Sequence, residues 1–208
     1  MSSRKNIFIT TLLGVAWMAA LAFGGRILFK YETTAGRVGS VSSKWPSVSV
    51  VPRQIDKPTL LMVAHPHCPC TRASVAELAK VMAHAVGKVN ALVLFVKPPG
   101  AGADWDDTDL RRSASAIPGV TVLTDENGTE AARFGAETSG HTLVFDRNGT
   151  LVFSGGITAS RGHEGANAGE NAVLAALGQQ PIVHNRTPVF GCSLTARAYM
   201  KEGKLCSN

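Results

Sequence analysis

Residues 59–85 read TLLMVAHPHCPCTRASVAELAKVMAHA, and this stretch decides the fold. It opens with a continuous apolar run from Thr59 to Ala64, which has the length of a strand buried on both faces. The motif HPHCPC follows at residues 65–70, and apolar residues then recur at helical spacing: Val75, Leu78, Val81 and Met82. The stretch therefore predicts a strand, a thiol-bearing loop and a helix in immediate succession.

Strands and helices continue to alternate after this stretch. Residues 142–145 and 150–153 flank an Asp-Arg-Asn-Gly turn, which is the clearest hairpin signal in the chain. The pattern further predicts strands at 91–96 and 120–123 and helices at 107–116, 129–134 and 171–177. This order predicts an α/β domain with a mixed sheet over residues 58–178.

Residues 1–29 predict a membrane anchor or a signal segment. Arg4 and Lys5 precede an apolar run over residues 7–25, and a membrane span needs roughly 20 such residues. A small-x-small site at 20–22 permits cleavage and secretion, but the apolar run continues past it, which favours an uncleaved transmembrane helix. Both alternatives place the rest of the chain outside the cytoplasm, in the periplasm if the source is Gram-negative.

The remaining segments are a predicted linker at 30–57 and a C-terminal tail at 179–208. We expect one short strand at 48–51 in the linker and a helix at 194–201 in the tail. The chain has 208 residues, is 45% hydrophobic and carries a net charge of +6, so it can bury a core. No run of basic residues alternates with aromatic ones, so we expect no nucleic-acid partner.

The chemistry of the motif centres on Cys68, which lies where a buried strand ends and a helix begins. Backbone N–H groups and the dipole at a helix start stabilise a thiolate, and His67 and Arg72 add to this effect. Cys70 is two residues away, and a disulfide across so small a ring is strained and oxidising. Two cysteines beside two histidines also fit a structural metal site.

The motif resembles the thioredoxin-like, membrane-anchored TlpA and ResA group of thiol-disulfide proteins, and a smaller RedB-like group more closely still. The matching residues are Cys68, Arg72, Ala73, Glu77 and Leu78, then Asp125, Gly128, Ala132, Phe134 and Gly135, then the segment 141–146. The resemblance implies a thioredoxin-like fold: a central mixed sheet flanked by helices, behind an N-terminal transmembrane helix. It also implies thiol-disulfide exchange with cysteines of exported proteins and no cofactor.

The resemblance assigns roles to individual residues. Cys68 matches the attacking cysteine, and the resolving position falls on Thr71, so Cys70 takes the resolving role and Thr71 caps the helix. His67 assists the thiol. His141 falls on the position of the group's cis-proline and, with Thr142, contributes to substrate binding.

A histidine at residue 141 also resembles the SCO group of copper-handling thioredoxin-fold proteins. That resemblance implies a copper-binding metallochaperone with Cys68, Cys70 and His141 as ligands, although the spacing of the two cysteines differs from the SCO pattern. Thiolate and imidazole ligands suit copper. A redox-inactive interaction module is the third alternative.

Cys192 and Cys206 complete the four cysteines. Outside the cytoplasm they are expected to form a structural disulfide in the tail. The alternative is that Cys192 resolves an oxidised Cys68. His163, in a Gly-rich loop, is more simply a surface residue than part of the site.

Overall fold

The computed structural model describes residues 2–178, 180–181 and 183–194 of the chain. It divides into two compact units, one ending at Thr34 and the other beginning at Ala35. The first unit is a single helix, α1, over Ser2–Thr33. Its stretch Arg4–Thr33 is long and apolar enough to cross a membrane. At 1.5 Å per residue its 32 residues exceed the roughly 30 Å of a bilayer's hydrocarbon core.

The second unit is built on a five-stranded mixed sheet. In chain order its elements are β1 Thr59–Ala64, α2 Thr71–Ala85, β2 Asn90–Lys97, α3 Asp109–Ser115, β3 Val120–Glu126, α4 Thr129–Arg133, β4 His141–Phe145, β5 Leu151–Gly155 and α5 Ala168–Leu177. The strand order is β3-β2-β1-β4-β5. Strand β1 is central, parallel to β2 and antiparallel to β4. The expected α/β class and mixed sheet are confirmed.

Each face of the sheet carries its own core. Helices α2, α3 and α5 pack on one face against side chains such as Met62 and Phe95. Helix α4 packs on the other face, together with the chain around Val51 and Leu194. Strand β1 supplies side chains to both cores and every one of its residues is buried, as its unbroken apolar run predicted.

Part of the predicted linker is packed onto the domain. The N–H of Trp45 donates to the Gly149 carbonyl at 2.8 Å, and the Trp45 ring meets Phe134 and Phe145 edge-on. The strand expected at 48–51 is wrong, because a turn closes there when the Ser49 N–H donates to the Pro46 carbonyl at 3.0 Å. Helix α1 also extends beyond residue 29 into the linker.

Asp125 holds the junction between β3 and α4. It is 2% exposed, and its two carboxylate oxygens accept the N–H groups of Glu130 and Ala131 at 2.9 and 2.8 Å. Helix α4 has five residues, too few to form without such help. One buried carboxylate therefore satisfies two backbone donors that the helix itself leaves unpaired.

Replacing Asp125 with alanine leaves two buried N–H groups without acceptors. We expect Asp125→Ala to lower the free energy of unfolding by at least about 2 kcal/mol, measured by chemical denaturation of the purified chain in detergent. Asp104→Ala, at an exposed aspartate, is the matched control. An unchanged midpoint in Asp125→Ala would show that α4 does not depend on this contact.

Candidate functional site

Cys68 lies in a tight turn between β1 and α2. Its N–H donates to the His65 carbonyl at 3.1 Å, and its carbonyl accepts the Thr71 N–H at 3.2 Å. Cys70 is the N-cap residue of α2 and makes no side-chain capping bond. The sulfur of Cys68 thus belongs to the start of a helix, as the sequence predicted, where the helix dipole favours a negative charge.

Three cysteines converge on this turn. The N–H of Cys192 donates to Cys68 Sγ at 3.3 Å, and the thiols of Cys192 and Cys70 also hydrogen-bond to that sulfur. Hydrogen bonds from Cys192, Cys70 and Thr71 hold the pKa of Cys68 far below that of an ordinary thiol, although burial opposes them. The same contact to Cys68, with burial, raises the pKa of Cys70. The arrangement therefore favours the thiolate form of Cys68 and the thiol form of Cys70.

The sulfur of Cys68 is covered and not open to solvent. Cys68 is 1% exposed and Cys70 is 8% exposed, whereas Cys192 is partly exposed. Cys192, which is 124 positions further along the chain, lies over the Cys68 sulfur. Any reaction at Cys68 therefore begins with movement of the groups above it.

Ser139 joins the elements that meet at the site. It is fully buried, and its hydroxyl accepts the N–H of His65 at 2.7 Å and lies 2.6 Å from the Thr71 hydroxyl. Since Thr71 donates to Cys68, the hydroxyl of Ser139 donates to Thr71, which makes a chain of hydrogen bonds ending on the sulfur. The sequence predicted that Thr71 caps α2. The N-cap is instead Cys70, and the hydroxyl of Thr71 stabilises the thiolate.

Arg161 is a second residue that the sequence analysis missed. Its guanidinium donates to the Gly191 carbonyl at 2.6 Å and hydrogen-bonds to the thiol of Cys70. Its loop is held to α2, because buried Glu77 accepts the N–H of Gly165 at 2.6 Å. Neither Ser139 nor Arg161 lies in a motif, and the only signal was the Gly-rich loop around Arg161.

The two histidines of the motif have different surroundings. His65 is 5% exposed, and burial lowers its pKa to about 4, so it is neutral at physiological pH. Its Nδ1 accepts the N–H of His67 at 3.0 Å. The ring of His67 lies 2.8 Å from the Trp105 carbonyl, to which its Nε2 donates. The predicted assisting residue, His67, thus holds the Trp105 loop. The charge of Cys68 acts on the ring of His65 and partly offsets the effect of burial on the pKa of His65.

The structure does not bring His141 to the thiols. His141 is opposite Val63 in the sheet, and Val63 belongs to the core on the α4 face, whereas α2 packs on the other face. Its Nε2 lies 2.9 Å from the Ser154 hydroxyl. Thr142 lies on the α2 face, where its hydroxyl donates to the Gly140 carbonyl at 3.3 Å. Both side chains are 0% exposed, so neither is presented to a substrate.

The other predicted site residues lie apart from Cys68 or outside the described part of the chain. Arg72 pairs with Asp109 at 2.5 Å on the surface, and His163 is exposed, as expected. Cys206 lies outside the described residues, as does most of the helix expected at 194–201, so the Cys192–Cys206 disulfide stays a prediction. Within residues 2–178, 180–181 and 183–194, no three His, Cys, Asp or Glu side chains are placed to hold a metal ion.

The burial of His141 predicts a specific dependence of stability on pH. Burial lowers its pKa from 6.5 to about 4, so the unfolded chain binds a proton that the folded chain excludes between these values. Stability is therefore lost as pH falls through this window, by on the order of 3 kcal/mol from this group. We expect His141→Gln to flatten the loss between pH 6.5 and 4, measured by urea denaturation at several pH values. His84→Gln is the matched control, and an unchanged slope in His141→Gln would contradict the assignment.

Comparisons with solved structures agree with this architecture. An uncharacterized conserved protein from Geobacillus kaustophilus is 19% identical, with a TM-score of 0.57 over 78% of this chain and 92% of its own. A hypothetical protein from Sinorhizobium meliloti is 18% identical, with a TM-score of 0.56 over 80% of this chain and 100% of its own. A secreted Mycobacterium tuberculosis disulfide oxidoreductase, homologous to E. coli DsbE, is 18% identical, with a TM-score of 0.43 over 60% and 82%.

No protein-family model matches the chain, and no curated protein matches its sequence. At 19% and 18% identity, the first two likenesses establish the fold alone. The topology agrees with that fold. A central strand leads into the thiol turn, a helix follows, and an antiparallel hairpin lies further along the chain. The domain that begins at Ala35 has a thioredoxin-like fold.

Proposed function

We propose that this protein is a thiol-disulfide oxidoreductase that acts outside the cytoplasm on cysteines of exported proteins, with Cys68 as its attacking thiolate. One observation carries the proposal: a buried sulfur at a helix start receives hydrogen bonds from two thiols, one hydroxyl and one backbone N–H. Hydrogen bonds directed at a sulfur favour its thiolate form, and the thiolate is the nucleophile in disulfide exchange.

The reaction follows from this arrangement. The Cys68 thiolate attacks one sulfur of a substrate disulfide, forms a mixed disulfide and releases the other substrate sulfur as a thiolate. A neighbouring thiol of the protein then gives up its proton and attacks Cys68 Sγ, which releases the second substrate thiolate. The protein is oxidised by two electrons, and the substrate is reduced to two thiols.

The proposed location and partners rest on α1. A 30-residue apolar stretch with basic residues at its start supports tethering to a membrane with the thiol domain on the outer side. Disulfides persist there, so exported proteins with paired cysteines are the substrates we propose. A domain held at the membrane meets such chains as they emerge.

Removing the attacking sulfur tests the proposal directly. We expect Cys68→Ser in the full chain to reduce insulin disulfides, with dithiothreitol as electron donor, only at the rate of the uncatalysed reaction. A hydroxyl at this position does not ionise near neutral pH and cannot form the mixed disulfide.

Ser113→Ala is the control for this change, because it alters an exposed residue of α3. It should keep the wild-type rate. Equal rates of insulin reduction in Cys68→Ser and the wild type would contradict the proposal and favour a redox-inactive interaction module.

The ionisation of Cys68 is a second test. A free thiol has a pKa near about 8.5, and hydrogen bonds hold that of Cys68 far lower, so the folded protein keeps one thiolate in mildly acidic solution. In the unfolded chain Cys68 binds a proton below the ordinary thiol pKa, whereas in the folded chain it does not. Cys68 therefore stabilises the fold fully above the ordinary thiol pKa, and this contribution is lost as pH falls toward the lower pKa of the folded state. We expect ultraviolet thiolate absorption in the native protein at about pH 6 that disappears on unfolding and is missing from Cys68→Ser. Loss of the absorption at an ordinary thiol pKa would contradict the assignment.

A further inference from the structure

We infer that Cys192, and not Cys70, is the resolving thiol, so that the oxidised protein carries a Cys68–Cys192 disulfide. This inference rests on the proposed function and adds to it the residue that completes the reaction. The resolving group comes from the C-terminal segment 189–194, here called the cover segment, and lies outside the HPHCPC motif.

The backbone of the cover segment is fixed at the right place. The N–H of Cys192 lies 3.3 Å from Cys68 Sγ, and its carbonyl accepts the N–H of Ser139 at 2.8 Å. Two residues further on, the N–H of Leu194 donates to the Glu137 carbonyl at 2.8 Å. The backbone of residue 192 is thus held on both sides, with its side chain directed to the sulfur it would attack.

Packing around Cys192 leaves little freedom for the cover segment. Phe190 and Leu194 are 7% and 6% exposed and anchor it on either side. Gly191 passes so close to the chain just before β4 that a Cβ there would lie 2.0 Å from the Ser139 carbonyl oxygen. The guanidinium of Arg161 binds the Gly191 carbonyl at 2.6 Å. When the cover segment returns after a substrate has reached Cys68, these contacts place the thiol of residue 192 beside Cys68 again.

Cys70 is less suited to the resolving role. It is the N-cap of α2 in a helical backbone conformation, so its backbone is fixed by the helix that follows. A bond to Cys68 would also close a ring across one intervening residue, with the strain that such geometry brings. The contact of Cys70 to Cys68 makes Cys70 a donor that stabilises the charge.

The resolving step is a thiol-disulfide exchange at Cys68 Sγ. After Cys68 forms the mixed disulfide, the thiol of Cys192 loses its proton and attacks Cys68 Sγ. The bond between Cys68 and the substrate breaks, and the departing substrate thiolate takes up a proton. The Cys68–Cys192 disulfide is two electrons more oxidised than the two thiols. An external dithiol supplies these two electrons: it attacks the sulfur of Cys192, releases Cys68 as a thiolate and closes its own disulfide. Cys192 is the partly exposed residue of the pair and Cys68 the buried one, so we expect the donor to attack at Cys192.

Trapping the mixed disulfide with oxidised glutathione tests the inference. The full-length protein, Cys192→Ser and Cys70→Ser are reduced, freed of reductant, treated with oxidised glutathione and mapped by mass spectrometry of non-reduced peptides. We expect a Cys68–Cys192 disulfide without retained glutathione in the wild type and in Cys70→Ser. In Cys192→Ser we expect one glutathione on Cys68.

Other outcomes separate the two proposals. Glutathione trapped in Cys70→Ser, with a Cys68–Cys70 bond in the wild type, would overturn the role of Cys192 and leave the proposed function standing. A Cys192–Cys206 bond in the oxidised wild type would also overturn it. Absence of any disulfide at Cys68 in all three proteins would overturn both. The wild-type peptide map decides the pairing even if Cys192→Ser fails to fold.

Discussion

Keeping a negative sulfur inside a protein is the constraint on which the rest of this site depends. A buried charge is costly unless several donors point at it, and Cys68 is 1% exposed. The donors come from two separate parts of the chain, residues 70–71 and Cys192, and further contacts from Ser139 and Arg161 hold these parts in place. Ser139 orients the Thr71 hydroxyl, and Arg161 holds both the cover segment and Cys70. The site is therefore an extended hydrogen-bonded network around one ion.

Thr71 has a physical role in this network. By sequence resemblance it matches the position of a resolving cysteine, and here its hydroxyl contributes to the lowered pKa of Cys68. A threonine cannot form a disulfide, but it stabilises the thiolate. His141, which by the same resemblance matches a cis-proline, lies on the sheet face opposite α2, with its ring toward Ser154. Correspondence in position thus does not carry over the role of the side chain.

Local patterns predicted the frame of this protein well. The apolar run of β1 and the helical spacing of α2 depend on neighbours in sequence, and both elements fall at their predicted positions. The placement of Cys68 at a helix start follows from the same patterns. Ser139, Arg161 and the cover segment act through contacts between residues far apart in sequence. No periodicity or motif records such contacts, so Cys192 could be placed near Cys68 only as an alternative, and the roles of Ser139 and Arg161 were not predicted.

The separation along the chain between this sulfur and its cover bears on how the protein matures. Cys192 follows Cys68 by 124 residues, so a chain that crosses a membrane from its N-terminus delivers the Cys-x-Cys pair to the oxidising side first. Until the last residues of the domain arrive, Cys70 is the thiol nearest to Cys68 along the chain, and the strain of a ring across one residue is what opposes their joining. Formation of the inferred Cys68–Cys192 disulfide then requires that the last residues of the domain arrive before the local pair is oxidised. Faster oxidation relative to export would favour a Cys68–Cys70 bond instead.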